Sequence, residues 1–201
     1  GTHIYEIYDN DRYLTTVRGE VTVVSSTESV SAKVYPCLYT PLQVWNMIEP
    51  PEWVAGTYDE GWHVDYSGTI YVALLETSEE PGVGTDWEET DSYIPVATAD
   101  NLDDLRDAAS QTMGQGSIFD GTFTTGLNKN YIQVANIDLV GFASWVGIGT
   151  NSSTPFTGRY NGNSLLIINL KGFYAYNYAG LFGVLDSGEI KNVSVVGEIY
   201  S

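Results

Sequence analysis

The sequence predicts an all-β chain with very little helix, and three observations point there. Val, Ile, Thr and Tyr dominate many segments, and their branched or aromatic side chains suit a pleated, half-buried surface. Few stretches repeat apolar residues at a period of 3.6, the mark of an amphipathic helix. From Gly121 onward the chain alternates short apolar runs with Gly/Asn turns. A length of 201 residues allows one or two domains with cores of their own.

Residues 1–49 read as an N-terminal β attachment region. Ile4–Tyr8 is a short strand candidate, and Asp9-Asn10-Asp11 is a turn cluster. Val17–Ser25 reads as a strand, and Ala32–Tyr35 as a further one. Pro36 and Pro41 then interrupt pairing. Glu49-Pro50-Pro51-Glu52 is the clearest linker, because consecutive prolines favour extended chain. Residues 50–94 form a compact, aromatic, turn-rich unit. Thr69–Leu75 is its strongest strand, Tyr66-Ser67-Gly68-Thr69 is a hairpin signal before it, Glu79–Gly84 is a loop, and Trp87 closes the unit.

Residues 95–201 open on the one convincing helix, Thr98–Met113. Thr98 or Asp100 can cap it, and Asp103 and Asp104 lie where the N-terminal dipole favours anions. Leu102, Leu105 and Ala109 form its apolar stripe, and Gly114 and Gly116 end it. Beyond it the segment Ile167-Ile168-Asn169-Leu170 recurs as Ile190-Lys191-Asn192-Val193, a spacing of 23 positions. A looser copy is Val134-Ala135-Asn136-Ile137. A period in the low twenties matches one coil of a parallel β-solenoid, whose inward residues are buried only when coils stack. Asn136, Asn169 and Asn192 then form a candidate structural ladder, each amide bonding to a neighbouring coil. Gly158, Gly162, Gly180 and Gly183 fit turns that require positive φ.

Composition narrows the function. With 8 Lys and Arg against 26 Asp and Glu, the net charge is −18. Such a surface repels nucleic-acid phosphates and anionic membranes, so no nucleic-acid partner is expected. Cys37 stands alone, which rules out an intrachain disulfide or a cysteine zinc site. His3 and His63 are the only histidines and lie far apart, leaving little material for a His-centred triad or metal site. No D-x-D-x-D-G calcium loop occurs, and no cofactor or metal is expected. A glycosidase needs two carboxylates facing a sugar. Asp120, Asp138, Asp186 and Glu189 are available, but nothing in their setting marks a pair as catalytic, so the expectation is no enzyme. No run is long and apolar enough for a membrane span, so no membrane insertion is expected.

Two family resemblances carry the rest. The stretch from Trp53 through Thr57-Tyr58 to Gly61-Trp62-His63-Val64-Asp65-Tyr66-Ser67-Gly68-Thr69-Ile70-Tyr71-Val72-Ala73, with Pro81 and Trp87, resembles the small chitin/cellulose-binding module of families 5 and 12. That resemblance implies a carbohydrate-binding-like β-module, with Trp62, Trp53, Tyr58, Tyr71 and Trp87 as candidate sugar-contacting residues. Sugar rings stack their C–H faces on aromatics. Trp62 is the best candidate for an exposed binder, since it stands where the family usually has a polar residue. Leu75 and Glu76 occupy the places where binding members carry an exposed aromatic pair.

Phe156-Thr157-Gly158-Arg159-Tyr160-Asn161-Gly162-Asn163 followed by Leu166–Leu170 looks like the stretch before GLUG repeats. Tyr178-Ala179-Gly180-Leu181-Phe182-Gly183-Val184-Leu185 with Ile190–Val193 looks like the repeat itself, and Tyr131–Leu139 with Trp145–Gly149 like the segment before both. This resemblance implies a right-handed parallel β-helix whose start is capped by the one short helix. It also implies a scaffold role in phage tail proteins and bacterial surface proteins. The leading expectation is a tail-fibre or tail-spike component of a virion. Its implied partners are other virion tail proteins, two further copies in a homotrimer, and host surface polysaccharide. A secreted or cell-surface adhesin and a non-catalytic part of a polysaccharide-degrading enzyme are the alternatives. Further coils, another subunit or a partner are expected to cover the face beyond Ser201.

Overall fold

The computed structural model describes residues 2–9, 12–20, 38–106, 112–113, 123–173 and 180–200. The chain is all-β, with fourteen strands in several sheets and two short helices among these residues. None of the described helices is long and apolar enough to cross a membrane.

Strands β1 (Thr2–Asp9) and β2 (Arg12–Glu20) pair antiparallel, which places the expected Ile4–Tyr8 strand inside β1. The second strand starts upstream of the expected Val17–Ser25 and includes its first residues, Val17 to Glu20, while residues 21–37, including the rest of that stretch and Ala32–Tyr35, are outside the described segments.

Pro41 does not interrupt a strand. It is the first residue of helix α1 (Pro41–Ile48), where a missing N–H costs nothing. Thr40 caps this helix: its Oγ accepts from the Gln43 N–H at 3.3 Å, and the Gln43 side chain accepts from the Thr40 N–H at 2.9 Å. Val44, Met47 and Ile48 share one face at helical spacing and bury against Tyr93 and Ile132. The cap therefore supports a tertiary contact as well as a helix. Thr40→Ala is expected to lower stability by about 1 kcal/mol, read as a shifted urea midpoint.

The Pro50-Pro51 segment, the expected linker, is held by backbone bonds to the module it leads into. The Asp65 N–H donates to the Pro51 carbonyl at 2.8 Å, and the Trp53 N–H to the Asp65 carbonyl at 2.8 Å. It leads into a three-stranded antiparallel sheet of β3 (His63–Tyr66), β4 (Thr69–Ala73) and β5 (Trp87–Thr90), in that order. The expected hairpin turn is present, with Ser67 at φ 57° and Gly68 at φ 86°.

Apart from one short antiparallel pair, the remaining strands run parallel. After β6 (Tyr93–Val96) comes α2 (Ala99–Asp104), capped by Thr98, whose Oγ accepts from the Asn101 N–H at 3.1 Å. The predicted helix is thus shorter within the described residues, and 107–111 lie outside them. Two short strands, β7 (Thr112–Met113) and β8 (Phe123–Thr124), pair antiparallel. Then follow β9 (Asn130–Gln133), β10 (Ile137–Asp138), β11 (Arg159–Asn161), β12 (Leu166–Phe173), β13 (Glu189–Lys191) and β14 (Ser194–Tyr200).

They build two all-parallel sheets, β6-β9-β11-β13 and β10-β12-β14. Parallel bridges Ile148–Phe182 and Phe156–Leu185 add further contact between successive layers. Arg159 lies opposite both Asn130 and Glu189, and Ile167 opposite both Ile137 and Val195. The chain therefore returns to the same sheet roughly every 30 residues, within the span of known structural repeats. This corrects the 23-residue period. Ile190 pairs with Tyr160 in one sheet, whereas Ile167 belongs to the other.

Between the sheets lies the main core. Ile94, Tyr131 and Tyr160 align across three strands, with Ile137, Ile167, Trp145, Ile148 and Phe156 around them. A buried amide threads this core. Gln133 donates to the carbonyls of Ala135 and Leu166 at 2.9 and 3.1 Å and accepts from the Tyr160 hydroxyl at 3.2 Å. With both ends of the amide engaged, burial leaves no orphan group.

The four glycines expected at positive φ do not have it. Positive φ falls instead on Ser67, Asn163, Ser164, Asn169, Ser187 and Asn192, and on Gly61, Gly68, Gly82 and Gly149. Gly158 and Gly162 serve close approach: an added Cβ would lie 2.0 Å from the Lys129 carbonyl oxygen and 2.5 Å from that of Asn192, respectively.

Candidate functional site: an aromatic module mounted on a parallel sheet

The three-stranded sheet has two distinct sides, set by the alternation of strand side chains. Register places Val64 beside Tyr71, and Ala73 beside Trp87, on one side. On the other side His63, Val72 and Glu88 align, as do Asp65, Ile70 and Thr90.

The first side is the module's own small core. Val64, Ala73 and Trp87 are buried there, with Trp53, Tyr58, Trp62 and Tyr71 packed around them. Tyr58 meets Trp87 edge-on at 5.5 Å, and Trp53 meets Tyr66 edge-on at 5.5 Å. Polar handles fix these rings. Trp87 Nε1–H donates to the Glu79 carbonyl at 2.9 Å, and the Tyr58 hydroxyl donates to the Val54 carbonyl at 2.6 Å. The structure thus brings all five predicted aromatics together. It buries Trp87 and leaves Trp53, Tyr58, Tyr71 and Trp62, the best candidate for an exposed binder, half-buried. Leu74 and Leu75, just past the end of the β4 hairpin strand, are exposed at 46% and 48%.

The second side faces the outer surface of β6-β9-β11-β13. Two outward columns run across that sheet, Tyr93-Asn130-Arg159-Glu189 and Pro95-Ile132-Asn161-Lys191. Under α1 the columns are apolar, with Tyr93 and Ile132 in the helix contact. Beyond it they become charged. A cleft of about 280 Å³ remains where the module, the segment leading into α1 and this charged surface meet. Its floor holds Arg159, which lies 3.4 Å from Glu88 and 3.9 Å from Glu189, and Lys191, 3.6 Å from Glu189. Tyr39 and Tyr93 contribute aromatic lining.

His63 sits at the module's edge of this cleft, buried, with its ring edge-on to Tyr93 at 5.8 Å and Nδ1 3.0 Å from the Gly61 carbonyl. Burial holds its pKa down at about 4, against the pull of the Gly61 carbonyl and with help from Lys191 and Arg159. It is therefore a neutral ring at pH 7.

The three asparagines of the expected ladder do not share a column. Asn136 bonds to the next layer as expected, its Oδ1 accepting from the Leu166 N–H at 2.8 Å. Asn169 donates to Asp138 at 2.7 Å, and Asn192 to Asn161 at 3.1 Å, on different sheets. All three cross between layers, each at a different place. Asn161 and Asn163 were passed over. Asn161 Oδ1 also accepts from the Asn163 N–H at 3.1 Å, and Asn163 Oδ1 accepts from the Tyr39 N–H at 2.9 Å, anchoring the approach to α1. Their signal was the paired amides of Asn161-Gly162-Asn163.

Among the described residues, no group of three or more His, Cys, Asp or Glu is placed to hold a metal ion. Comparison with known proteins found no matching family model, no matching curated protein and no matching solved structure.

Proposed function

We propose that this chain is a non-catalytic adhesion component, a carbohydrate-binding-like module carried by the first layers of a right-handed parallel β-helix. In this reading it serves in a phage tail fibre or spike, as a homotrimer attached to other tail proteins, and holds the virion to host surface glycan. The observation that carries the reading is the mount. One side of the module's sheet is given to the parallel layers, which leaves the half-buried aromatics Trp53, Tyr58, Trp62 and Tyr71 on the side turned from them. Strands that return to the same sheet at a steady interval support a shaft that grows by stacking. Half-buried aromatics offer one ring face to a sugar while the other packs inward.

Binding to an array of bacterial surface glycans tests this. The wild type is expected to bind, and Trp62→Ala to weaken that binding about tenfold. Absence of binding by the wild type, or release of reducing ends from the bound glycan, would overturn the proposal. Sedimentation equilibrium of the full chain is expected to give a trimer mass.

A further inference from the structure

The cleft behind the module calls for its own account, because the adhesion reading uses only the aromatic side. We propose that this cleft is a second ligand site, and that it takes the terminal residue of a neutral saccharide.

Charge is the first reason. The cleft gathers Arg159 and Lys191, two of only 8 basic residues in the chain, and sets them against Glu88 and Glu189. His63 adds no charge at neutral pH. The lining is therefore balanced inside a molecule of net charge −18, which turns anions away at long range. An anionic ligand would meet cations already engaged by carboxylates, whereas a cation would meet carboxylates already engaged by Arg159 and Lys191.

Hydrogen-bonding capacity is the second. A guanidinium carries five N–H donors and an ammonium three, while each carboxylate has room for several acceptor contacts. Arg159 and Lys191 spend few of theirs in the ion pairs, which at 3.4 to 3.9 Å are loose. The four charged side chains line the cleft and remain 40–50% exposed, which leaves hydrogen-bonding capacity for a ligand. Alternating donors and acceptors on one floor match vicinal hydroxyls, each of which both donates and accepts.

Shape is the third. Tyr39, Tyr93, Met47 and Val72 supply apolar lining for the C–H face of a ring. At about 280 Å³ the cleft lies just under the size of sites for drug-sized ligands, which suits one sugar residue at a chain end.

Saturation-transfer NMR and calorimetry on the full chain test this. The probes are methyl glycosides of glucose, galactose, mannose and N-acetylglucosamine, with glucuronate as the anionic comparison. At least one neutral glycoside is expected to saturate the wild type. Arg159→Met and Lys191→Met keep the aliphatic stems and remove the charges, and each is expected to weaken binding about tenfold. Thr90→Trp fills the cleft, leaves those charges in place, and is expected to abolish binding. Thermal melts of the three variants confirm that the fold persists. Trp62→Ala is read on the glycan array, where it reports the aromatic side and not the cleft. Failure of every neutral glycoside to bind, tighter binding of glucuronate, or binding that survives Thr90→Trp would overturn the proposal. Array binding lost in Trp62→Ala yet untouched by the cleft variants would leave the adhesion reading standing without this site.

Discussion

Gly158→Ala is expected to destabilise the protein by about 3 kcal/mol, at the upper end of overpacking costs. Gly158 precedes β11 where two layers touch through backbone alone. An added Cβ would lie 2.0 Å from the Lys129 carbonyl oxygen and 2.8 Å from its nitrogen. Neither atom can swing aside as a side-chain end would. The Gly158 N–H donates to the Leu127 carbonyl at 2.9 Å, and its own carbonyl accepts from the Glu189 N–H at 2.9 Å, so the residue is held from both neighbouring layers. Relief requires the layers to separate, which breaks those bonds and opens the Tyr131–Tyr160 core. Gly141→Ala is the matched control, because an added Cβ there meets nothing within 4 Å. It is expected to change stability by less than about 0.5 kcal/mol. Urea denaturation at constant slope reads both values. Equal midpoints for the two variants would refute the layer contact at Gly158.

The second large effect is on pH. The His63 ring titrates at about 4 in the folded chain and at 6.5 when free. Between those values the unfolded chain carries a proton that the folded chain refuses. Stability is therefore complete above pH 6.5, falls as the pH drops towards 4, and changes no further from this group below that. The size is on the order of 3 kcal/mol. Carboxylates titrate over part of the same window, so the informative quantity is the difference from His63→Phe, which fills the site without titrating. Wild type is expected to lose that much more than the variant between pH 6.5 and 4. Facing His63 are Tyr93 and Arg159 from the parallel sheet, Lys191 and Glu189 beyond them, and Glu88 two strands away on its own sheet. A parallel pH profile for the two proteins would mean that the ring is solvated in the folded state.

Much of this architecture could be read from residue order. Alternation and β-branched composition marked the strands, Ser67-Gly68 marked a hairpin, and Thr98 marked the start of α2. The aromatic module could be read because its residue types and spacing arise from one small sheet. Its orientation could not, since nothing within 50–94 says which side meets a distant strand such as β11. Helix α1 was hidden by a local ambiguity. Pro41 blocks a strand and starts a helix equally well, and the deciding feature was Gln43, two residues on, completing the capping box with Thr40. The repeat was misphased for a physical reason. Ile167-x-Asn169 and Ile190-x-Asn192 look alike because both end in an asparagine at positive φ, 60° and 55°, Asn169 at a register irregularity within β12 and Asn192 between β13 and β14. The motif marks an interruption of regular pairing, and such interruptions occur on both sheets. The cleft left no trace in local sequence, because Glu88, Arg159 and Lys191 meet only through long-range pairing.

The mount also governs how the molecule would carry a pull. The chain runs from α1 through Pro51 straight into pairing with Asp65, and the Glu88–Arg159 ion pair and the His63–Tyr93 ring contact tie the module's sheet to the parallel one. Such a joint behaves as a bracket and lacks the slack of a tether.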